Sequence, residues 1–186
     1  MGNHKIKFEI GFWHPFGPHC DEMPDEIIAR KRQEIKNNGW TLWSFKYRKL
    51  DTLKAWYEEI LKEKPRNALV FCSDGVGAKS PKGRKAYCQN YIPVNDNNSQ
   101  KVPSNIKVLH HLGERSRGTA FVIQDIIYPV DYKLETVQWL YQKQEWRNDK
   151  IPTRSEYLIK AGKGELMRKY RAILVLKPPY LAQIMK

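Results

Sequence analysis

Ser73-Asp74-Gly75-Val76-Gly77-Ala78-Lys79-Ser80 has the residue types of a phosphate cradle: glycines that let backbone amides converge, then a lysine and a hydroxyl. It also follows a strand-like run, Ala68-Leu69-Val70-Phe71-Cys72, as a P-loop should. The match to G-x-x-x-x-G-K-[S/T] fails twice, because Ser73 occupies the first glycine position and Ala78 precedes Lys79. Pro81 and Gly83 then leave no apolar-striped helix whose N-terminus could hold phosphate. A nucleoside triphosphatase is rejected. A more general anion nest stays open, surrounded by Lys79, Lys82, Arg84 and Lys85. Contact with a phosphate backbone and a solvated basic loop are its two readings.

Other constellations are weaker. His14, His19 and Cys20 could supply zinc ligands, with His110-His111 from afar, but the spacing matches no closed structural site. Capping and packing histidines in a proline-stiffened turn are the expectation, and no metal or other cofactor is expected. A metal-dependent nuclease wants Pro-Asp and then Glu-x-Lys on a neighbouring strand. Pro24-Asp25 and Glu34-Ile35-Lys36 occur, yet both fall on one expected helix. No Gly-x-Ser-x-Gly elbow is present, and no catalytic residue is assigned.

The aromatics offer a different chemistry. Six tryptophans can pack a core or stack an unpaired base, the latter with a typical worth of about 1–3 kcal/mol per base. Trp56 belongs to a helical stripe and reads as core. Trp13 ends a strand at a proline turn, and Trp40 and Trp43 have opposite parity within one strand. The expected pocket has Trp13 and Trp43 as walls, Ser73 and Asp74 at its polar end, and His14 nearby. Such a flat slot would accept one flipped-out base.

These groups sit in a chain of 186 residues with a net charge of +13, 41% hydrophobic and 28% charged residues. That composition suits one α+β domain over 1–186. Residues 74–117 carry eight basic and three acidic residues, so basic density peaks there. A basic excess favours polyanions, nucleic acid first. Three cysteines without a C-x-x-C rule out a disulfide framework and a four-thiolate zinc site. No apolar run approaches the ~18 residues of a membrane span, and the first residues lack a signal-peptide pattern. A cytoplasmic protein that does not meet a membrane is the expectation, with protein partners undefined.

The positioning elements follow from periodicity. Ile6, Phe8, Ile10 and Phe12 alternate as a strand ended by Pro15, Gly17 and Pro18. A helix runs from Asp21 as N-cap to Gly39, with Ile27, Ile28 and Ile35 as its stripe and Lys31 intruding. Residues 40–45 form a strand. Leu53, Trp56, Tyr57, Ile60 and Leu61 mark the clearest helix, opened by Asp51 and closed by Pro65. Strands are expected at 68–73, 106–110, 119–128, 157–159 and 171–176, the last ended by Pro178-Pro179. A third helix is expected from Leu134, Val137, Leu140 and Tyr141. The stretch 74–105 has no period and reads as a long loop. Thr119–Tyr128 and Arg171–Leu176 should be inner strands of one curved sheet, with the 53–61 stripe packed on it.

Two stretches resemble the EVE and ASCH branches of the PUA-like barrel superfamily. Ala68-Leu69-Val70-Phe71-Cys72-Ser73 is similar to the strand that ends by the ligand pocket in EVE domains. Arg117-Gly118-Thr119-Ala120-Phe121-Val122-Ile123, closed by Ile127-Tyr128-Pro129, is similar to the Gly-led strand that follows. Cys72 stands where the EVE signature has its histidine. The resemblance implies a curled mixed sheet or small PUA-like barrel with about three flanking helices, binding RNA or DNA with a modified base. A non-catalytic nucleic-acid-binding domain is therefore expected. Lys79, Lys82, Arg84, Lys85, Arg115 and Arg117 would form its basic face. A metal-dependent nuclease and an interaction module of a larger system are the alternatives.

Overall fold

The structure is a computed structural model that describes residues 10–45, 56–58, 60–62, 68–74, 85–86, 90–93, 100–110, 118–130, 132–139, 156–168 and 172–185. In chain order the elements are β1 (Ile10–Phe16), α1 (Pro24–Asn38), β2 (Thr41–Phe45) and β3 (Ala68–Asp74), with helical residues 56–58 and 60–62 before β3. The strands β4 (Lys85–Ala86), β5 (Asn90–Pro93), β6 (Gln100–Lys101) and β7 (Leu109–His110) are short. The strands β8 (Gly118–Ile127), β9 (Tyr132–Trp139), β10 (Glu156–Arg168) and β11 (Ala172–Met185) are long. The result is a mixed sheet with helices. Among the described residues no helix is long and apolar enough to cross a membrane.

The chain divides into two compact units, each assembled from three stretches of sequence. The first comprises Met1–Phe16, Leu50–Gly75 and Ile127–Val175. Its strands run in the order β11, β3, β1, β10, β9, with β1 and β3 parallel and the other pairs antiparallel. β3 has buried residues of both parities, Leu69 beside Val70, which its continuous apolar run requires of a central strand. Trp56 is fully buried, meets Phe12 edge-on at 5.6 Å and donates its indole N–H to the Gly11 carbonyl at 3.1 Å. Tyr57 and Ile60 are buried with it, while Leu61 is exposed, so the expected stripe is one residue narrower. Leu53 lies outside the described residues.

The second unit comprises Gly17–Lys49, Val76–Ile126 and Leu176–Lys186. Its strands run β2, β8, β11, β5, β6, and β4 pairs with β7 as a separate two-stranded sheet. Leu42, Tyr91, Val102, Ile106, Val108, Ala120, Val122 and Ala182 form its core, with Trp40 packed edge-on to Tyr91. Four of these residues come from 91–108, most of which carries no sequence period. Among the described residues, neither unit's strands close into a ring.

α1 shows how local chemistry sets an element. Pro24 occupies the first turn, where a missing N–H costs nothing, and Glu26 accepts the Met23 amide proton at 2.7 Å. The helix therefore starts after Met23, and the expected cap Asp21 lies outside it with a left-handed φ of 63°. Gly39 ends the helix as expected, with φ +76° and its N–H on the Ile35 carbonyl at 2.7 Å.

Three further expectations are corrected. The third helix does not form there: residues 132–139 are β9, paired with β10 from Tyr132↔Arg168 to Trp139↔Leu158. Tyr132, Thr136, Val137 and Trp139 are strand formers, and the ladder outweighs a weak helical period. β1 runs through Pro15, since a proline near a strand end forfeits only one rung, and stops at Phe16 before the expected Gly17 and Pro18. β11 runs past Pro178-Pro179 to Met185, since the prolines fall between its ladder with β3 and its ladder with β5. Of the two expected inner strands, β8 lies between β2 and β11 in the second unit, and the 172–175 part of β11 pairs with β3 in the first.

Candidate nucleic-acid interface

The basic residues Lys79, Lys82, Arg84, Arg115 and Arg117 lie outside the described residues. Lys85 lies within them, in β4, and the register places it opposite His110 of β7. The ladder is antiparallel. The segment that precedes Lys85 and the segment that follows His110 therefore leave it at the same end. Those two segments contain the other five basic residues.

The expected pocket residues divide between the units. In the first, the parallel register sets Trp13 against Phe71, His14 against Cys72, Pro15 against Ser73 and Phe16 against Asp74. The C-terminal ends of β1 and β3 thus bring Trp13, His14, Ser73 and Asp74 onto adjacent strands. Trp43 belongs to the second unit, on β2 opposite Phe121, and is 5% exposed. Cys72 is fully buried, and desolvation pushes its thiol well above the ordinary range. It stays protonated at neutral pH, so the His14–Cys72 neighbours do not make an activated nucleophile.

A polar network that sequence reading missed organises the second unit around α1. Arg30 grips Glu22 with two nitrogens, Nε on Oε1 at 2.9 Å and Nη2 on Oε2 at 2.7 Å. Its Nη1 also donates to Glu34 Oε1 at 3.0 Å and to the Lys107 carbonyl at 2.9 Å. Lys31 is 4% exposed and donates to Glu34 Oε2 and to the Lys107 carbonyl, both at 2.8 Å. Glu34, 3% exposed, further accepts the Thr41 hydroxyl and the Lys107 amide, the latter at 3.0 Å. Four donors saturate one carboxylate, which is what a buried charge requires.

Desolvation pushes the Glu34 carboxyl up, but the Lys31 charge and the hydrogen bonds from Lys31, Thr41 and the Lys107 amide outweigh it, so the group ionises below its ordinary range. Desolvation lowers Arg30, and its bonds and charge contacts with Glu22 and Glu34 more than restore it. Every charge in the cluster is matched. The signal in sequence was Lys31 on the apolar stripe, with Glu34 three residues on and four from Arg30.

This arrangement bears on the acidic motif. The carboxylate of Glu34-Ile35-Lys36 is already occupied, on a helix and not a strand. Among the described residues no three His, Cys, Asp or Glu side chains come together as metal ligands. His19 donates from Nε2 to the Leu109 carbonyl at 2.9 Å, and Cys20 is fully buried. Comparison with protein-family models, with curated proteins and with solved structures gives no match to this chain.

Proposed function

We propose that this chain is a single α+β domain that binds nucleic acid without acting on it chemically. In this reading backbone phosphates lie on the basic face that Lys79, Lys82, Arg84, Lys85, Arg115 and Arg117 supply. An unpaired base sits at the C-terminal ends of β1 and β3, among Trp13, His14, Ser73 and Asp74. The observation that carries the reading is the Lys85↔His110 pair, from which both cationic segments depart at one end of one ladder. With a net charge of +13, two such segments leaving one end of a ladder suit a polyanion better than any neutral partner. The crevice outside the carboxyl ends of neighbouring parallel strands is a common place for a ligand, which supports the base site. Trp43, being buried, serves packing in the second unit. The resemblance of 68–73 and 117–129 to EVE and ASCH domains agrees with both halves of the reading.

The test is replacement of Lys79, Lys82, Arg84 and Lys85 together by alanine, with binding followed by fluorescence anisotropy on several labelled oligonucleotides. Phosphates carry no sequence information, so affinity should fall alike for all of them. Unchanged affinity would remove the basic face from the account.

A further inference from the structure

We propose that the charge network of α1, centred on Glu34, together with His19, positions Lys85 of the basic face by holding β7, the strand it pairs with. The inference rests on the nucleic-acid reading above and assigns a role to residues that touch no nucleic acid in it. Glu34 accepts the Lys107 amide, and Arg30 and Lys31 both donate to the Lys107 carbonyl, so one peptide residue is held through both of its polar groups. Two residues on, His19 holds the Leu109 carbonyl. Leu109 and His110 are β7 itself, and Lys107 lies two residues before it. β7 in turn pairs β4 through Lys85↔His110 and Ala86↔Leu109.

A two-residue strand has too few ladder bonds to define its own place, so its position must come from other contacts. These contacts supply it from the side of α1, a helix with a proline start and a glycine stop. Buried, fully matched charge is costly to assemble and gives little net stability over an apolar core. Its gain here is registration: the cluster allows one position for Lys107, where an apolar contact would tolerate sliding. Lys85 inherits that position through its pairing with His110.

The experiment is a double-mutant cycle on the full chain with His19→Ala and Lys85→Ala, read as anisotropy of a labelled single-stranded oligonucleotide. The His19 side chain is half-buried and is no member of the Arg30–Glu22, Arg30–Glu34 and Lys31–Glu34 ion pairs, so its replacement leaves those three intact. Positioning predicts that His19→Ala weakens binding in the parent chain and much less once Lys85 is gone, a coupling of about threefold or more. Additive effects would overturn the inference, because general destabilisation does not know whether Lys85 is present. Glu34→Gln gives a second readout: hydrogen exchange of the 107–110 and 85–86 amides should quicken more than that of β3 and β8, which reports only the global loss of stability. Uniform quickening across all strands would contradict positioning. If the unmodified chain shows no salt-dependent binding, the nucleic-acid reading itself falls. That outcome is distinct from additivity in a chain that binds.

Discussion

Glu34 accepts the amide proton of Lys107 at 3.0 Å, across 73 positions of sequence. The same carboxylate holds Lys31 at 2.8 Å, so a helix, a buried ammonium and a distant backbone share one anion. Replacing Glu34 by alanine leaves Lys31 buried without its carboxylate and should cost about 3–5 kcal/mol, read from the urea midpoint. The acid limb tests the same group. Its folded-state pKa lies below its ordinary value near 4.5, so its contribution is fully present above that value. The contribution is lost as pH falls through the lower folded-state value. The unmodified protein should therefore lose stability in acid more steeply than Glu34→Gln, and equal slopes would show that the carboxylate is not held as described.

Trp56 links the second helical segment to β1 through its indole N–H on the Gly11 carbonyl. Trp56→Phe keeps the aromatic contact with Phe12 but removes the donor, and should cost about 1–3 kcal/mol. Trp56→Ala opens a cavity as well and should cost about 3–5 kcal/mol. Equal losses for the two would mean that the hydrogen bond carries the contact and the aromatic packing adds nothing. Chemical denaturation of both variants separates these cases.

Gly39 has a φ of +76° and open space where a Cβ would stand. The penalty for Gly39→Ala is therefore one of backbone conformation, about 1–2 kcal/mol. Gly39→Asn should lose less, since asparagine enters the left-handed region more readily. Thermal melts of the pair should rank asparagine above alanine.

The parts of the fold that were legible in sequence are those whose signal is local and long. Ala68–Cys72 and Ala120–Ile123 advertise inner strands by unbroken apolar character, and Gly39 announces the end of α1. Trp56, Tyr57 and Ile60 announce a buried helical face. What escaped was short or distant. β4 and β6 have two residues each and β5 has four, too few for any period, so 74–105 read as a loop. Residues 132–139 carried a mixed pattern that pairing with β10 decides in favour of a strand. Lys31 looked like an intrusion because its partners include Thr41 and the Lys107 carbonyl, 76 positions away. Of the candidate site, the adjacency of Trp13 and His14 to Phe71 and Cys72 depends on a parallel pairing that no local pattern announces.

The salt dependence of oligonucleotide affinity tests the central claim most directly. Binding of a labelled single strand should weaken linearly in log K against log salt, by about 0.7 per phosphate neutralised. Removing Lys79, Lys82, Arg84 and Lys85 together should flatten that slope by up to about 3, and four phosphate contacts alone correspond to a roughly 50-fold loss between 50 and 200 mM salt. A flat line for the unmodified chain, or one that the fourfold replacement leaves as steep as before, would contradict the account.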